Sequence, residues 1–207
     1  MLRDHPIFLE SIRFIKSNLS KNNFNYLENK VLERLIHTSG DFSIEHLLEF
    51  SDGACEKTIR SLKEGAPILT DTDMAAAAIK SMAQNTNRNN VFSAKKWIIE
   101  NDTSGKTKTA YGLEKGWFEL SENYLGIKSP IVVIGSSPTA LVNLLDILED
   151  SQNIPSLIIG MPVGFIGVEK SKQKLHATNY SRIVLNSTRG GAAMAAAATN
   201  ALLRESI

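Results

Sequence analysis

The sequence predicts an α/β protein: a three-layer α/β/α domain with a mostly parallel sheet and a helical N-terminal extension. Three observations carry this. Short apolar runs, among them Ile131–Ile134, Leu157–Ile159 and Ile183–Leu185, recur after residue 65 between Gly-, Ser-, Pro- and Asn-containing turns. Each run leads into a helix-length segment, the pattern of strands joined by crossover helices. The runs are apolar at consecutive positions, as strands covered on both faces require.

Taken in order, Ile7–Leu19 is expected as an amphipathic helix with Ile7/Phe8, Ile12, Ile15 and Leu19 on one side. A second helix, Tyr26–Thr38, repeats Leu27, Val31 and Leu35 on one face, and Gly40 suits its C-terminal stop. Helical segments follow over Ser43–Phe50 and Asp52–Glu64, the latter ending at Gly65. Ala66–Thr70 is the first buried strand, with Asp71 or Asp73 as the N-cap of the alanine-rich helix Met74–Met82. Ala83–Asn90 is polar and predicted as a loop. Lys96–Ile99 is predicted as a strand and Ala110–Leu120 as a helix. The strand Ile131–Ile134 then leads into helix Ala140–Leu148. Strands Leu157–Ile159 and Ile183–Leu185 complete the series, with helices near Val168–Leu175 and Ala192–Arg204. The alanine blocks Ala75–Ala78 and Ala195–Ala198 mark helices packed closely on a sheet or a neighbouring subunit. The expected organisation is a single domain over residues 1–207, mainly helical over 1–64 and α/β over 65–207.

Of the 207 residues, 43% are hydrophobic, enough to bury a substantial core. Lys and Arg number 23 against 22 Asp and Glu, and the net charge of +1 gives no general attraction to nucleic acid or to an anionic membrane. The single cysteine, Cys55, excludes an intrachain disulfide and a protein-only cysteine cluster, and it fits a reducing compartment. The most apolar segments fall far short of the ~20 residues a membrane helix needs. The first residues carry no leader pattern. A cytoplasmic protein without nucleic-acid or membrane partners, resident metal or cofactor is expected.

In open parallel sheets ligands bind beyond the carboxyl ends of the strands. Four junctions there are chemically distinctive. In Gly135-Ser136-Ser137-Pro138-Thr139, glycine permits a tight turn whose N–H groups, backed by a helix dipole, suit an anion. The run is neither G-x-G-x-x-G nor a P-loop, and a capped turn without ligand explains it equally. Thr188-Arg189-Gly190-Gly191 places an arginine beside paired glycines at a helix start, a cradle for carboxylate or phosphate, although paired glycines also serve steric ends. Thr70-Asp71-Thr72-Asp73 offers two carboxylates that capping accounts for. Thr107-Lys108-Thr109-Ala110 sets a lysine between threonines, which suits either an acidic ligand or a solvated turn.

His37 stands in Arg34-Leu35-Ile36-His37-Thr38-Ser39-Gly40-Asp41, at the expected C-terminal end of a helix. The negative helix end and nearby Asp41 would favour its imidazolium form and suit it to donate a proton. A plain capping histidine is the alternative. His5, His46 and His176 lack such surroundings, and no histidine pair has metal-ligand spacing.

Arg34–Asp41, Gly65-Ala66-Pro67-Ile68-Leu69-Thr70-Asp71, Gly135 with Pro138-Thr139-Ala140-Leu141, Gly160-Met161-Pro162-Val163-Gly164-Phe165 and Arg189–Ala198 with Asn200-Ala201-Leu202 occur in this order. Together they resemble the precorrin-8X methylmutase family, called cobalt-precorrin-8 methylmutase in the anaerobic cobalamin route. The likeness spans residues 7 to 204. It implies an isomerase that moves a methyl group from C-11 to C-12 of the macrocycle, giving hydrogenobyrinate or cobyrinate, with His37 as proton donor. It further implies a homodimer and a substrate-binding set comprising Thr38, Ser39, Asp41, Lys108, Thr109, Gly135, Ser136, Ser137, Thr139, Arg189, Gly190 and Gly191. Against the family pattern, Ser39 replaces threonine, Lys108 arginine, Thr188 a basic residue and Ala192 serine. A non-catalytic corrinoid carrier is the competing reading. A nucleotide-dependent oxidoreductase, suggested by Ile131–Leu148, lacks the required glycine spacing.

Overall fold

The buried strand residues divide their side chains between two cores, and this division builds the fold. In a computed structural model, residues 5–100, 103–124 and 128–207 are described. They form helices α1 (Pro6–Asn18), α2 (Tyr26–Ser39), α3 (Ala54–Lys63), α4 (Asp73–Asn85), α5 (Lys108–Asn123), α6 (Pro138–Glu149), α7 (Val168–His176) and α8 (Ala192–Glu205). The strands are β1 (Leu48–Phe50), β2 (Ile68–Thr70), β3 (Val91–Ser93), β4 (Ile131–Ile134), β5 (Leu157–Gly160) and β6 (Arg182–Leu185). They pair in the order β1-β6-β5-β4-β2-β3, all parallel except β1, which runs antiparallel to β6.

One face of the sheet sends Ile68, Ile131, Val133, Ile159 and Ile183 into a core with Leu32, Leu35, Leu62, Ile79 and Leu202 from α2, α3, α4 and α8. The other sends Leu69, Val132, Ile134, Ile158 and Val184 against Leu113, Trp117, Leu141, Leu144 and Leu175 from α5, α6 and α7. The alternation within each run is the period of two of a pleated strand. The result is the expected three-layer α/β/α arrangement with a mostly parallel sheet. The two alanine blocks meet, since small side chains let α4 and α8 approach and Asn200 Nδ2 donates to the Ala78 carbonyl at 3.0 Å.

Three expected elements differ. Ser43–Phe50 is not helical: a 3-10 turn over Phe42–His46 is followed by β1, whose Leu48 and Phe50 sit opposite Leu185 and Ile183 on the sheet edge. The first 64 residues therefore supply a strand as well as helices. Lys96–Ile99 is not a strand either. The slot beside β2 is filled by Val91–Ser93, and Trp97 closes a 3-10 turn with its indole N–H donating to Glu119 at 2.6 Å. The ring lies where a side chain on Gly116 would stand, 2.7 Å from an added Cβ, so α5 needs glycine there. Finally, α4 is capped by Thr72, whose Oγ1 accepts from the Ala75 N–H at 3.3 Å, rather than by Asp71 or Asp73. Among the described residues no helix is long and apolar enough to cross a membrane.

Candidate active site

The chain lays β3 on one side of β2 and then returns to place β4 on the other, so the strand order reverses between β2 and β4. Such a reversal opens a crevice beyond the strand ends. At its base lies Asp71, 3% exposed, whose Oδ2 accepts the N–H groups of Ser136 at 2.6 Å and Ser137 at 2.9 Å. Burial pushes this carboxyl above the usual carboxylate range against the pull of those N–H groups, and Oδ1 is buried without a hydrogen bond among the described residues. The expectation that the Ser136 and Ser137 N–H groups receive a ligand anion is thus corrected. A side chain from the neighbouring strand end fills the cradle first, which also removes the phosphate seat of a dinucleotide.

The hydroxyl groups of this turn remain at the surface of the crevice. Ser137 Oγ caps α6 by accepting from the Ala140 N–H at 3.1 Å and shares a hydrogen bond with Thr139 Oγ1 at 3.0 Å. Thr139 Oγ1 in turn shares one with Thr107 Oγ1 at 2.8 Å, and Thr107 is the N-cap of α5. Two positive helix ends are thereby tied together. Thr107, Pro138 and Thr139 line a cavity of about 390 Å³ with Gly167, the N-cap of α7, and with Lys106, which pairs with Glu114. Lys108 is exposed in the first turn of α5 and Thr109 is partly buried, and neither lines this cavity. Of the run Thr107-Lys108-Thr109-Ala110, Thr107 and Ala110 line the cavity, together with Gly105 and Lys106. The cap signal of Thr107 three residues before Ala110 pointed there.

The second cradle adjoins the first. A Cβ on Gly135 would lie 2.7–2.8 Å from backbone atoms of Gly191 and Ala192, so the β4 turn rests directly on the entry to α8. Gly190, at φ +154°, has the Met161 carbonyl where a side chain would be, and the Gly191 N–H donates to that carbonyl at 2.9 Å. The expected role of the Gly191 N–H as a ligand donor is therefore corrected. The glycine pair admits the close approach of the β5–α7 loop. Arg189 pairs with Asp41 and donates to Ser43 Oγ. Hydrogen bonds from Ser43 first, then Arg189, hold the Asp41 carboxyl below its usual range. Ser39, Asp41, Arg189 and Gly190 surround a second cavity, of about 230 Å³, with Ile44, Val163, Leu185 and Met194.

His37 is exposed in the last turn of α2, two residues before Ser39. Its Nδ1 shares a hydrogen bond with Ser11 Oγ at 2.8 Å, and the Phe8 ring meets it edge-on at 5.1 Å. Burial, followed by the nearby Arg34 charge, pushes the imidazole below its usual value. This corrects the expectation of a free-state imidazolium: Asp41 is engaged by Arg189 and Ser43 instead. Thr38 Oγ1 donates back to the Arg34 carbonyl at 2.9 Å, so that hydroxyl serves the helix. Ser11 carried no sequence signal, because only the packing of α1 on α2 brings it to His37.

Comparison with known proteins decides the family of the chain. A family model described as precorrin-8X methylmutase matches residues 6–205. The chain belongs to the precorrin-8X methylmutase family. Such a methylmutase is an isomerase that moves a methyl group within a tetrapyrrole substrate in cobalamin biosynthesis. The cobalt-precorrin-8 methylmutase of Synechocystis sp. is 32% identical over 97% of this chain and 95% of its own length. The precorrin-8X methylmutase of Pseudomonas aeruginosa is 37% identical over 85% and 83%. The crystal structure of a precorrin-8X methylmutase from Thermus thermophilus superposes with a TM-score of 0.86 at 28% identity, covering 97% of this chain and 95% of that one.

Proposed function

We propose that the enzyme moves the methyl group of (cobalt-)precorrin-8 from C-11 to C-12, giving hydrogenobyrinate or cobyrinate, with His37 as the proton donor. The observation that carries this is the setting of His37. It is exposed, oriented through Nδ1 by Ser11, and its Nε2 has no hydrogen bond among the described residues. A proton given to the ring system around the migrating methyl lowers the barrier to a rearrangement that leaves a longer conjugated chromophore. An isomerisation changes no atom count, so that proton must be returned when the methyl has moved. The free imidazole is held below its usual pKa. The carboxylates of the incoming macrocycle supply the negative charge that favours protonation.

Recognition follows the same logic. Ser39 and Arg189 at the second cavity and Thr139 at the first are the donors for the ligand's carboxylates, with Lys108 and Thr109 nearby in the first turn of α5 and the backbone of Gly135 and Gly190 setting the floor. A homodimer, which the family resemblance implies, would let a second subunit complete a site built on the 390 and 230 Å³ cavities. Cobalt, where present, arrives within the macrocycle. A cytoplasmic enzyme without nucleic-acid partners fits the balanced charge. The test is turnover of precorrin-8 by catalytic amounts of protein, read as the shift in visible absorbance. Wild type is expected to yield product in excess over protein, which a carrier cannot do. His37→Ala is expected to bind the macrocycle and leave it unchanged; normal turnover by that variant removes His37 from the mechanism.

A further inference from the structure

Lys172, on α7, is 1% exposed, and nothing in the chemistry above uses it. Its ammonium donates to the carbonyl of Ser187 at 2.8 Å and to that of Arg189 at 2.6 Å. An ammonium is costly to bury unless acceptors are fixed around it. Burial pushes this one down to about 8, with Glu169 opposing the shift. Both acceptors lie in the loop between β6 and α8. Carbonyls two residues apart face one ammonium only if the chain between them folds back. Ser187 supplies that fold at φ +64°, a left-handed conformation that side-chain-bearing residues adopt at a cost. Its Oγ accepts from the Arg189 N–H at 3.3 Å and tightens the same turn.

We propose that Lys172 is a positioning residue for substrate binding: it clamps the Ser187–Arg189 turn from α7 and so sets where the Arg189 side chain enters the 230 Å³ cavity. The role rests on the reading that Arg189 receives a substrate carboxylate. Through Arg189 the clamp also reaches Asp41 and Ser43, just beyond the helix end that carries His37. Lys172 touches no substrate; it acts by holding a backbone that would otherwise relax its strained turn.

Two readouts test this on the intact protein, with Lys172→Met removing the charge while retaining most of the volume. Hydrogen exchange at the amides of residues 187–191 is expected to quicken at least ~10-fold in the variant while the sheet stays protected. With precorrin-8 as substrate, KM is expected to rise roughly 10-fold or more while kcat stays within about threefold, as lost uniform binding requires. Lys172→Met combined with Arg189→Met should bind no worse than Arg189→Met alone, because the clamp acts through that arginine. Lys172→Gln, which keeps N–H donors, should recover part of the exchange protection and part of the KM, and it takes over the comparison if the methionine variant does not fold. Unchanged exchange in the loop, or multiplying effects in the double variant, overturns the proposal. If Arg189→Met leaves KM untouched, the assignment of Arg189 as a ligand has failed, while the exchange rates still decide whether Lys172 is a clamp.

Discussion

Asp71 and Ser136 lie just beyond the ends of adjacent parallel strands, and the carboxylate of the first accepts the N–H of the second at 2.6 Å. The protein thus fills the positive end of α6 with its own side chain at the point where the strand order reverses. The hydroxyl groups of Ser137, Thr139 and Thr107 form a hydrogen-bonded chain beside it.

This contact predicts opposite behaviour for two substitutions. Asp71→Ala strips two part-buried N–H groups of their acceptor and is expected to cost about 1–3 kcal/mol in urea unfolding. Asp71→Asn mimics a permanently neutral side chain. The folded carboxyl titrates above the unfolded value of 3.8. The stability that Asp71 contributes relative to asparagine is therefore fully present below 3.8 and is lost as pH rises through the raised folded value. Unfolding curves at ~pH 4 and ~pH 8 should move in favour of Asp71→Asn at the higher pH. The opposite trend would mean that the N–H groups outweigh burial.

For His37 the prediction concerns rate. Burial and Arg34 hold the free imidazole below 6.5. If it must be protonated to act, kcat/KM, which reports the free enzyme, should fall as pH rises past a value under 6.5. The kcat profile should hold to higher pH, because the bound polyanion stabilises the imidazolium. Superimposable profiles that show no decline as pH rises would argue against a proton from this residue.

Arg189 separates stability from binding. Its pair with Asp41 lies between partly exposed side chains, and such pairs contribute about 1 kcal/mol or less. Arg189→Met is therefore expected to unfold within about 1 kcal/mol of wild type, yet to raise KM about 10-fold or more through loss of a charge-assisted carboxylate contact. Arg189→Lys should recover only part, since an ammonium lacks the planar fork. A KM unaffected by either change would take Arg189 out of the binding set.

Gly190 and Gly40 both have positive φ but differ in surroundings. Gly40, at φ +66°, has open space where a Cβ would go, so Gly40→Ala should cost about 1 kcal/mol. At Gly190 the added Cβ runs into the backbone carbonyl of Met161, which cannot swing aside as a flexible side chain would. Gly190→Ala is expected to lose several-fold more stability than Gly40→Ala, or to fail to fold. Thermal melts of the pair decide it.

The strands Ile131–Ile134, Leu157–Gly160 and Arg182–Leu185 and the helix ending at Gly40 were legible because hydrophobic period and turn chemistry act over a few neighbouring residues. Leu48–Phe50 and Val91–Ser93 were not, since three residues carry no period and each is a strand only because β6 or β2 offers it a ladder. The polar residue types at the strand–helix junctions could likewise be read from the sequence. What the neighbours contribute could not. Ser11 reaches His37 across 26 positions, and Asp71 reaches Ser136 across 65.

By itself, then, the amino-acid sequence determined the layered architecture, the junctions that carry polar chemistry and the family resemblance, all of which depend on local pattern and order along the chain. Tertiary structure alone decided which backbone N–H groups were already occupied, which carboxylate faced which cation, and on which side of its usual value the His37 imidazole lies. Those outcomes depend on burial and on distances of a few ångströms between residues far apart in the chain, and no local pattern encodes them.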